Sequence, residues 1–262
     1  SGVARADETG ITITGSGWGD GVGLSQYGAR AMADGGDSAS QILKHYYPGV
    51  ELRTVGNLLL GSFFLDDEAP VWVGLLQDQT EVTFHIEGGS AELCFDTTGQ
   101  CVATATEGEK WKFGPDGSGG CLFSRQPGLG WWTGDYIRFE PPGGCSASAR
   151  PTSTATTIRI PKKGRSYRRG TLRFRESPTS GGLHLVAQLG VEDYVRGIQE
   201  LPDSWPGAAL EAQAIASRTL VVREVLANGS AEDFDTSRLD LCGCHILDNS
   251  PEQVYGGFTA EE

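Results

Sequence analysis

Long apolar runs are missing from this sequence. Nowhere do about 18 consecutive apolar residues occur, which excludes a membrane-spanning helix. Basic charge is scarce as well: 21 Lys and Arg stand against 34 Asp and Glu, a formal charge of −13, which argues against broad electrostatic capture of nucleic acid. Charged residues make up only 21% of the 262 and hydrophobic ones 38%, so the chain is no disordered polyelectrolyte and can bury the core of one large or two modest domains. Methionine occurs once, whereas cysteine occurs six times and arginine dominates the basic set, a usage that suits an exported protein. No internal repeat is visible. No low-complexity linker is visible either, apart from the Ser/Thr-rich stretch Ser146 to Thr157, which reads as a connection between domains.

What is present falls into three parts. Residues 9–55 begin with the alternating Ile11-Thr12-Ile13-Thr14, pass through a glycine run from Gly15 to Gly23, and become helical. Ser38, with Gln41 three residues later, forms a capping box leading into Ile42 to Tyr47, and Pro48-Gly49 stops that helix. Residues 56–150 carry short alternating stretches such as Glu81 to Ile86, separated by Gly, Pro, Asp and Ser clusters, and read as a β-rich insert. Strand patterns continue into 151–262 at Thr156 to Ile160 and Thr171 to Arg175, where eight basic residues between Arg159 and Arg175 make a positive patch on an acidic protein. The patch is either a solvated strand face or an attraction for an anionic polymer such as cell-wall glycan. The strongest helix signal follows: Pro206 suits a first turn, Ala208 to Leu226 is rich in alanine and leucine, and Asn228-Gly229 suits an end. On it Gln213 and Ser217 interrupt an otherwise packable stripe. The expected class is α+β, β-rich, with a long helix in the catalytic part and a β-rich insert.

Cys94 and Cys101 flank a short polar loop, and Cys121 and Cys145 flank a Gly/Trp-rich segment, so two local disulfides are the preferred pairing. Ala4-Arg5-Ala6 looks like the small-residue end of a signal peptide. Cys242-Gly243-Cys244-His245 can be read in two ways. Two thiolates and an imidazole suit a structural zinc, while the same cysteines suit a disulfide in a chain otherwise fitted to disulfides.

The glycine run does not fit a phosphate loop, because no Gly-Lys-Ser/Thr follows and no parallel βαβ pattern surrounds it. Alternating glycines instead let the backbone pass close to another surface, with Trp18, Asp20, Ser25 and Gln26 projecting from it. This run, Trp18 to Ala29, together with Ile42 to Gly49, closely resembles the signature of the amidase-enhancer family, typified by the sporulation stage II D protein. Leu189 to Gly197, Glu200-Leu201-Pro202, Ser204-Trp205-Pro206, Ala212-Gln213-Ala214, Ala216 to Thr219 and Gln253 to Gly257 resemble the rest of it, so the likeness covers roughly residues 9–55 and 167–262. The family's glycine motif usually carries His where this chain has Asp20, and it usually closes the domain, whereas here it comes first. The domain at 151–262 is accordingly expected to be incomplete at its carboxyl end.

The resemblance implies an exported, cell-wall-associated protein that cleaves peptidoglycan glycan strands as a lytic transglycosylase, with Glu200 as the single acid/base and no cofactor required. Chemically, one carboxyl group suffices when a hydroxyl of the sugar itself serves as nucleophile. Two effects compete at Glu200: a following helix amino terminus favours the anion, and burial against Leu201 and Trp205 favours the neutral acid. Gln213, Ser217 and Arg218 are candidates for orienting sugar hydroxyls or the lactyl carboxylate, with Arg218 either forking a carboxylate or bridging to Glu211. Trp205, Asp20, Ser25 and Gln26 would line the groove. Trp111, Trp131 and Trp132 offer sugar platforms or, for any one of them, ordinary core. A cell-wall amidase is a further expected partner. Two other classes compete with the enzyme: a noncatalytic wall-binding amidase activator, and a structural surface protein on a decayed enzyme scaffold.

Overall fold

The alternating stretches build two antiparallel sheets in the computed structural model, which describes residues 3–4, 13–14, 23–54, 69–126, 137–139 and 145–261. The fold is α+β and β-rich. It divides into two units, one made of Ser1–Leu52 with Asp203–Gln213 and the other of Arg53–Pro202 with Ala214–Glu262.

The larger unit is a sandwich. Its seven-stranded sheet runs, in spatial order, Ile246–Leu247, Val71–Gln79, Leu183–Leu189, Thr171–Glu176, Ala147–Pro151, Ser90–Phe95 and Cys101–Thr106. Its six-stranded sheet runs Arg165–Tyr167, Thr157–Ile160, Val82–Gly88, Lys110–Pro115, Cys121–Arg125 and Ile137–Phe139. The short Ile246–Leu247 strand pairs parallel to its neighbour, and the other strand pairs described in these two sheets are antiparallel. Strands with period-two alternation bury one face, and here the faces meet in a cluster of phenylalanines. The Phe123 ring centroid lies 4.8 Å from Phe113, 5.5 Å from Phe95 and 5.7 Å from Phe174, and none of the four is exposed. Leu183–Leu189 is buried on both faces. Leu183, Leu185, Ala187 and Leu189 enter the sandwich, while Val186 joins Trp72, Phe234 and the cysteines Cys242 and Cys244 in a second cluster outside it.

Hydrogen bonding crosses the expected division at residues 150/151 in both sheets. Ala147–Pro151 pairs with Ser90–Phe95 on one side and Thr171–Glu176 on the other, and Thr157–Ile160 pairs with Val82–Gly88. The expected linker Ser146 to Thr157 thus holds the strand Ala147–Pro151 and runs into the strand Thr157–Ile160. Its small residues explain why it read as a connection: Ala147 and Ala149 are fully buried where larger side chains would not fit, and Ser148 Oγ donates to Asp96 Oδ1 at 2.9 Å. Trp111 is core, 1% exposed, with its Nε1 donating to Glu109, so it offers no sugar platform. Trp131 and Trp132 lie outside the described residues.

Disulfides join Cys94 to Cys101, Cys121 to Cys145 and Cys242 to Cys244. The first two are the local pairs that loop composition favoured. The third lies within the Cys242–His245 cluster, and sulfurs bonded to one another offer no thiolates to a metal. His245 is engaged on both ring nitrogens, with Nδ1 accepting from Trp72 N at 3.1 Å and Nε2 placed 2.9 Å from the Gly229 carbonyl.

A second buried histidine gives the sandwich a pH dependence. His184 is 1% exposed, and its Nδ1 accepts from Asp78 N at 3.2 Å. Burial holds its imidazole below the ordinary 6.5. The unfolded chain therefore takes up this proton at a higher pH than the folded one, so the stability it contributes is complete above about 6.5 and falls as pH drops through the interval beneath. Thermal melts followed by circular dichroism should show the midpoint falling from about pH 7.5 to about pH 5. His184→Gln, which keeps an acceptor for Asp78, should make that fall shallower.

In the smaller unit Val3–Ala4 pairs antiparallel with Ile13–Thr14, and two helices follow, Gln26–Asp34 and Ala39–Tyr46. The capping box at Ser38 is formed: Gln41 N donates to Ser38 Oγ, and Ser38 N donates to Gln41 Oε1 at 3.0 Å. Gly28 is required by contact, since Tyr46 fills the space a Cβ would take, with Cζ at 3.0 Å.

Candidate active site

In the larger unit Glu200 ends a short segment that follows the helix Val191–Arg196. That segment runs antiparallel to Gln253–Gly256: Ile198 bridges Tyr255, Gln199 N donates to Val254 O at 3.1 Å, and Gly256 N donates to Gly197 O at 2.7 Å. The pairing brings Glu200 opposite the Gln-Val dipeptide. Glu200 Oε1 accepts from Val254 N at 2.9 Å and from Gln253 Nε2 at 3.0 Å, and Gln253 itself is 5% exposed. A partly buried carboxylate is thereby held on one oxygen by two directed donors.

The tyrosines of the two segments explain why the pairing is rigid. Tyr255 stacks on Tyr194 at 5.6 Å and on Tyr167 at 6.1 Å, and all three are buried. Burial raises the hydroxyl pKa of each above its ordinary value, so all three stay neutral across the physiological range. Beneath the second segment Asp248, its side chain 2% exposed, accepts from Tyr255 N at 2.9 Å and from Arg165 Nη1 through both carboxylate oxygens, at 3.1 and 3.0 Å, while Lys163 Nζ sits 2.5 Å away. Arg165 Nη1 also donates to the Tyr255 carbonyl at 2.8 Å. The end of the chain is fastened by Arg169, which forks Glu261 and reaches Asp193 at 3.2 Å.

The long helix Gly207–Asn228 carries the other expected residues, and Gly229 follows it with φ +72°. Ser217 is 2% exposed. Arg218 forks a carboxylate, but the partner is Glu192 rather than Glu211: Nε and Nη2 donate to the two Glu192 oxygens at 2.7 and 2.8 Å. The pairing raises the guanidinium pKa and lowers that of Glu192. With Glu192 65% exposed, Glu192→Gln is expected to cost less than ~1 kcal/mol in a denaturant titration. Gln213 belongs to the smaller unit, as do Trp205, Ser25 and Gln26. There Trp205 is 9% exposed, contacts the Tyr27 ring edge-on at 5.1 Å and lies 5.2 Å beneath the Arg30 guanidinium. Ser25 is the cap of the helix that Gln26 begins, its Oγ accepting from Gly28 N at 3.2 Å. Asp20 lies outside the described residues.

Residues 179–262, which contain both Glu200 and the Gln253–Gly257 segment, match the family described as Stage II sporulation protein, SpoIID. The chain is similar to the Amidase enhancer of Bacillus subtilis strain 168, at 56% identity over 52 residues, 20% of this chain and 7% of that protein. It is similar to the Stage II sporulation protein D of Bacillus amyloliquefaciens, at 53% over 49 residues, 19% of this chain and 14% of that protein. The Stage II sporulation protein D of Bacillus subtilis strain 168 matches at 50% over 42 residues, 16% of this chain and 12% of that protein. The chain thus spans a small part of the length of these curated relatives. No solved structure gives a significant match.

Within the matched segment the structure adds residues that sequence reading did not single out. Gln253 stood inside a quoted motif but had no role until its side chain was placed on Glu200. Glu192 lay in the motif around Asp193, and the two-turn spacing of one helix offered Glu211 instead as a partner for Arg218. Asp248 carried no signal at all, since a lone Asp in Leu-Asp-Asn-Ser reads as a turn.

Proposed function

We propose that this protein acts on bacterial cell walls by cleaving peptidoglycan glycan strands, with Glu200 as the single acid/base. One observation supports this above the others: Glu200 is fixed on Oε1 by Val254 N and Gln253 Nε2, from a segment that the tyrosine stack holds in place. A carboxyl group set in this way can deliver a proton along a defined direction, which is what departure of a glycosidic oxygen requires. Protonated Glu200 gives its proton to that oxygen as the bond to the anomeric carbon breaks. The resulting carboxylate then takes the proton of the muramyl 6-hydroxyl as that oxygen closes on the anomeric carbon. The product is an anhydro-muramyl end, and Glu200 recovers its proton. No second carboxylate is needed in this sequence of steps.

Disulfides fit an extracellular location. The alternative, a noncatalytic activator of a wall amidase, is favoured by the name of one relative, Amidase enhancer. It is also favoured by the closed Arg218–Glu192 fork, which occupies a cation expected to meet substrate. The two readings separate on peptide-free glycan strands. Mass spectrometry should detect anhydro-muramyl ends with the unmodified chain and not with Glu200→Gln; strands that are bound but left intact, with an amidase stimulated equally by both forms, would establish the activator instead.

A further inference from the structure

The basic run from Arg159 to Arg175 left two readings open, a solvated strand face or an attraction for an anionic polymer. The structure sorts its members. Lys163 and Arg165 pair with Asp248, Arg169 with Glu261 and Asp193, and Arg173 with Asp96. Lys162 donates to Gln79, and Arg175 lies against Trp72 with its Nη1 donating to the Ala231 carbonyl at 3.3 Å. Arg159 and Arg168 remain. They alternate with Ile158, Ile160 and Tyr167, which enter the core, so both belong to the face of the six-stranded sheet turned away from it.

Strand register extends this face with groups from outside the run. Ser166, Arg159, His85 and Lys110 stand side by side on four adjacent strands, and Arg168 reaches the same face, its Nε donating to Thr157 Oγ1 at 3.1 Å. Strands lie about 4.8 Å apart, so the row spans about 14 Å across the sheet. Its charge is unbalanced. Glu87 accepts from Ser166 Oγ at 2.7 Å and stands 3.7 Å from Arg159 Nε, a loose pair with side chains 41% and 40% exposed. Among the described residues neither Lys110 nor Arg168 has an ion pair, and the Arg168 guanidinium lies 3.5 Å over the Phe258 ring. Lys112, by contrast, is closed by Glu81 at 2.9 Å with Asp116 lining the same hollow, so the positive strip ends before it. His85 sits within the strip. Partial burial holds its imidazole below the ordinary 6.5, Lys110 adds to this, Glu87 opposes it, and Arg159 adds again.

We propose that this strip is a docking surface for a polyol phosphate chain of the cell wall, laid across the strands with successive phosphodiesters over Arg168, Arg159 and Lys110. The cell-wall source rests on the function proposed above; the surface itself does not involve Glu200. Charge density selects the polymer. A polyol phosphate carries one charge per short repeat and meets basic groups on successive strands, whereas a glycan strand carries at most one carboxylate per two sugars. Arginine offers phosphate oxygens a planar fork of donors, and Lys110 adds a point charge. The net charge of −13 repels polyanions from the rest of the protein, which confines attachment to the strip.

The test titrates the full chain with synthetic polyglycerol phosphate by calorimetry and follows the His85 imidazole by NMR. An anion over His85 favours the imidazolium, so binding should raise its pKa. By linkage, affinity should then grow as pH falls from about 7.5 to about 5.5, by up to roughly tenfold for each unit of that rise. Lys110→Glu and Arg168→Glu, with folding checked by melting, should each weaken binding by roughly tenfold. Arg223→Glu makes the same charge change at a 70% exposed side chain on the long helix and should alter binding by less than about twofold. Glu200→Gln should bind as the unmodified chain does. Absence of binding, an unmoved His85 at saturation, or an equal loss in Arg223→Glu overturns the surface and leaves the cleavage reading standing. Poly-L-glutamate of matched charge binding as tightly overturns the choice of phosphodiester.

Discussion

Glu200→Gln is expected to lower the rate of anhydro-muramyl end formation by about 10²- to 10⁴-fold with no loss of fold. The size follows from chemistry: an amide can neither give the proton to the leaving oxygen nor take one from the attacking hydroxyl, so both halves of the reaction lose their catalyst. The fold is spared because the substitution is close to isosteric. A glutamine Oε1 can still accept from Val254 N and from Gln253 Nε2, the two donors that hold the carboxylate. Glu200→Asp gives a complementary outcome. It retains an acid but withdraws it by one methylene from both donors, so residual activity should exceed that of Glu200→Gln while melting shifts more. If the chain is instead an activator, neither substitution will change its stimulation of an amidase, and the product assay will be blank for the unmodified chain as well.

Much of this site was legible in the sequence, and what was not has a physical reason. Glu200 and the Gln-Val-Tyr run could be picked out because local motifs carry them, and the capping box at Ser38 and the end of the long helix at Gly229 could be read because those signals are short-range. The sheet partners could not. Ala147–Pro151 sits in the middle of a seven-stranded sheet, yet its Ser, Ala and Pro content looks like a linker, because strand identity there comes from crowding by Phe95 and Phe174 opposite Ala147 rather than from its own residues. The same limitation hides the sheet pairing across residues 150/151. Pairing between residues far apart in the chain, such as Arg159 with His85, leaves no trace in local composition. Arg218 is a third instance: helical spacing offers Glu211, and only the turn of the chain at Gly190 brings Glu192 to it.

Gly197→Ala should be the most damaging single-atom addition in the site, because the added carbon has nowhere to go. A Cβ at Gly197 would overlap the edge of the Tyr255 ring, with Cζ at 3.0 Å and Cδ2 at 3.1 Å. The ring cannot retreat, since Tyr194 stacks on it at an interplanar angle of 12° and Tyr167 lies beyond at 26°. The backbone must yield instead, and the bond from Gly256 N to Gly197 O at 2.7 Å is the nearest part of it. Overpacking of this kind costs typically 1–3 kcal/mol. In a chain of this size that corresponds to a melting midpoint lower by roughly 2–12 °C. The consequence for activity should be larger than the stability loss alone implies. Spreading the paired segments withdraws Val254 N and Gln253 Nε2 from Glu200, so cleavage should fall even at temperatures where the variant is fully folded. Gly207→Ala provides the control: nothing lies within 4 Å of a Cβ at this first residue of the helix, its φ is not positive, and alanine there is expected to stabilise by about 0.4–1 kcal/mol through the unfolded chain. Opposite shifts in melting for the two glycines, with activity lost only at Gly197, would tie the function of the carboxylate to the segment pairing that holds it.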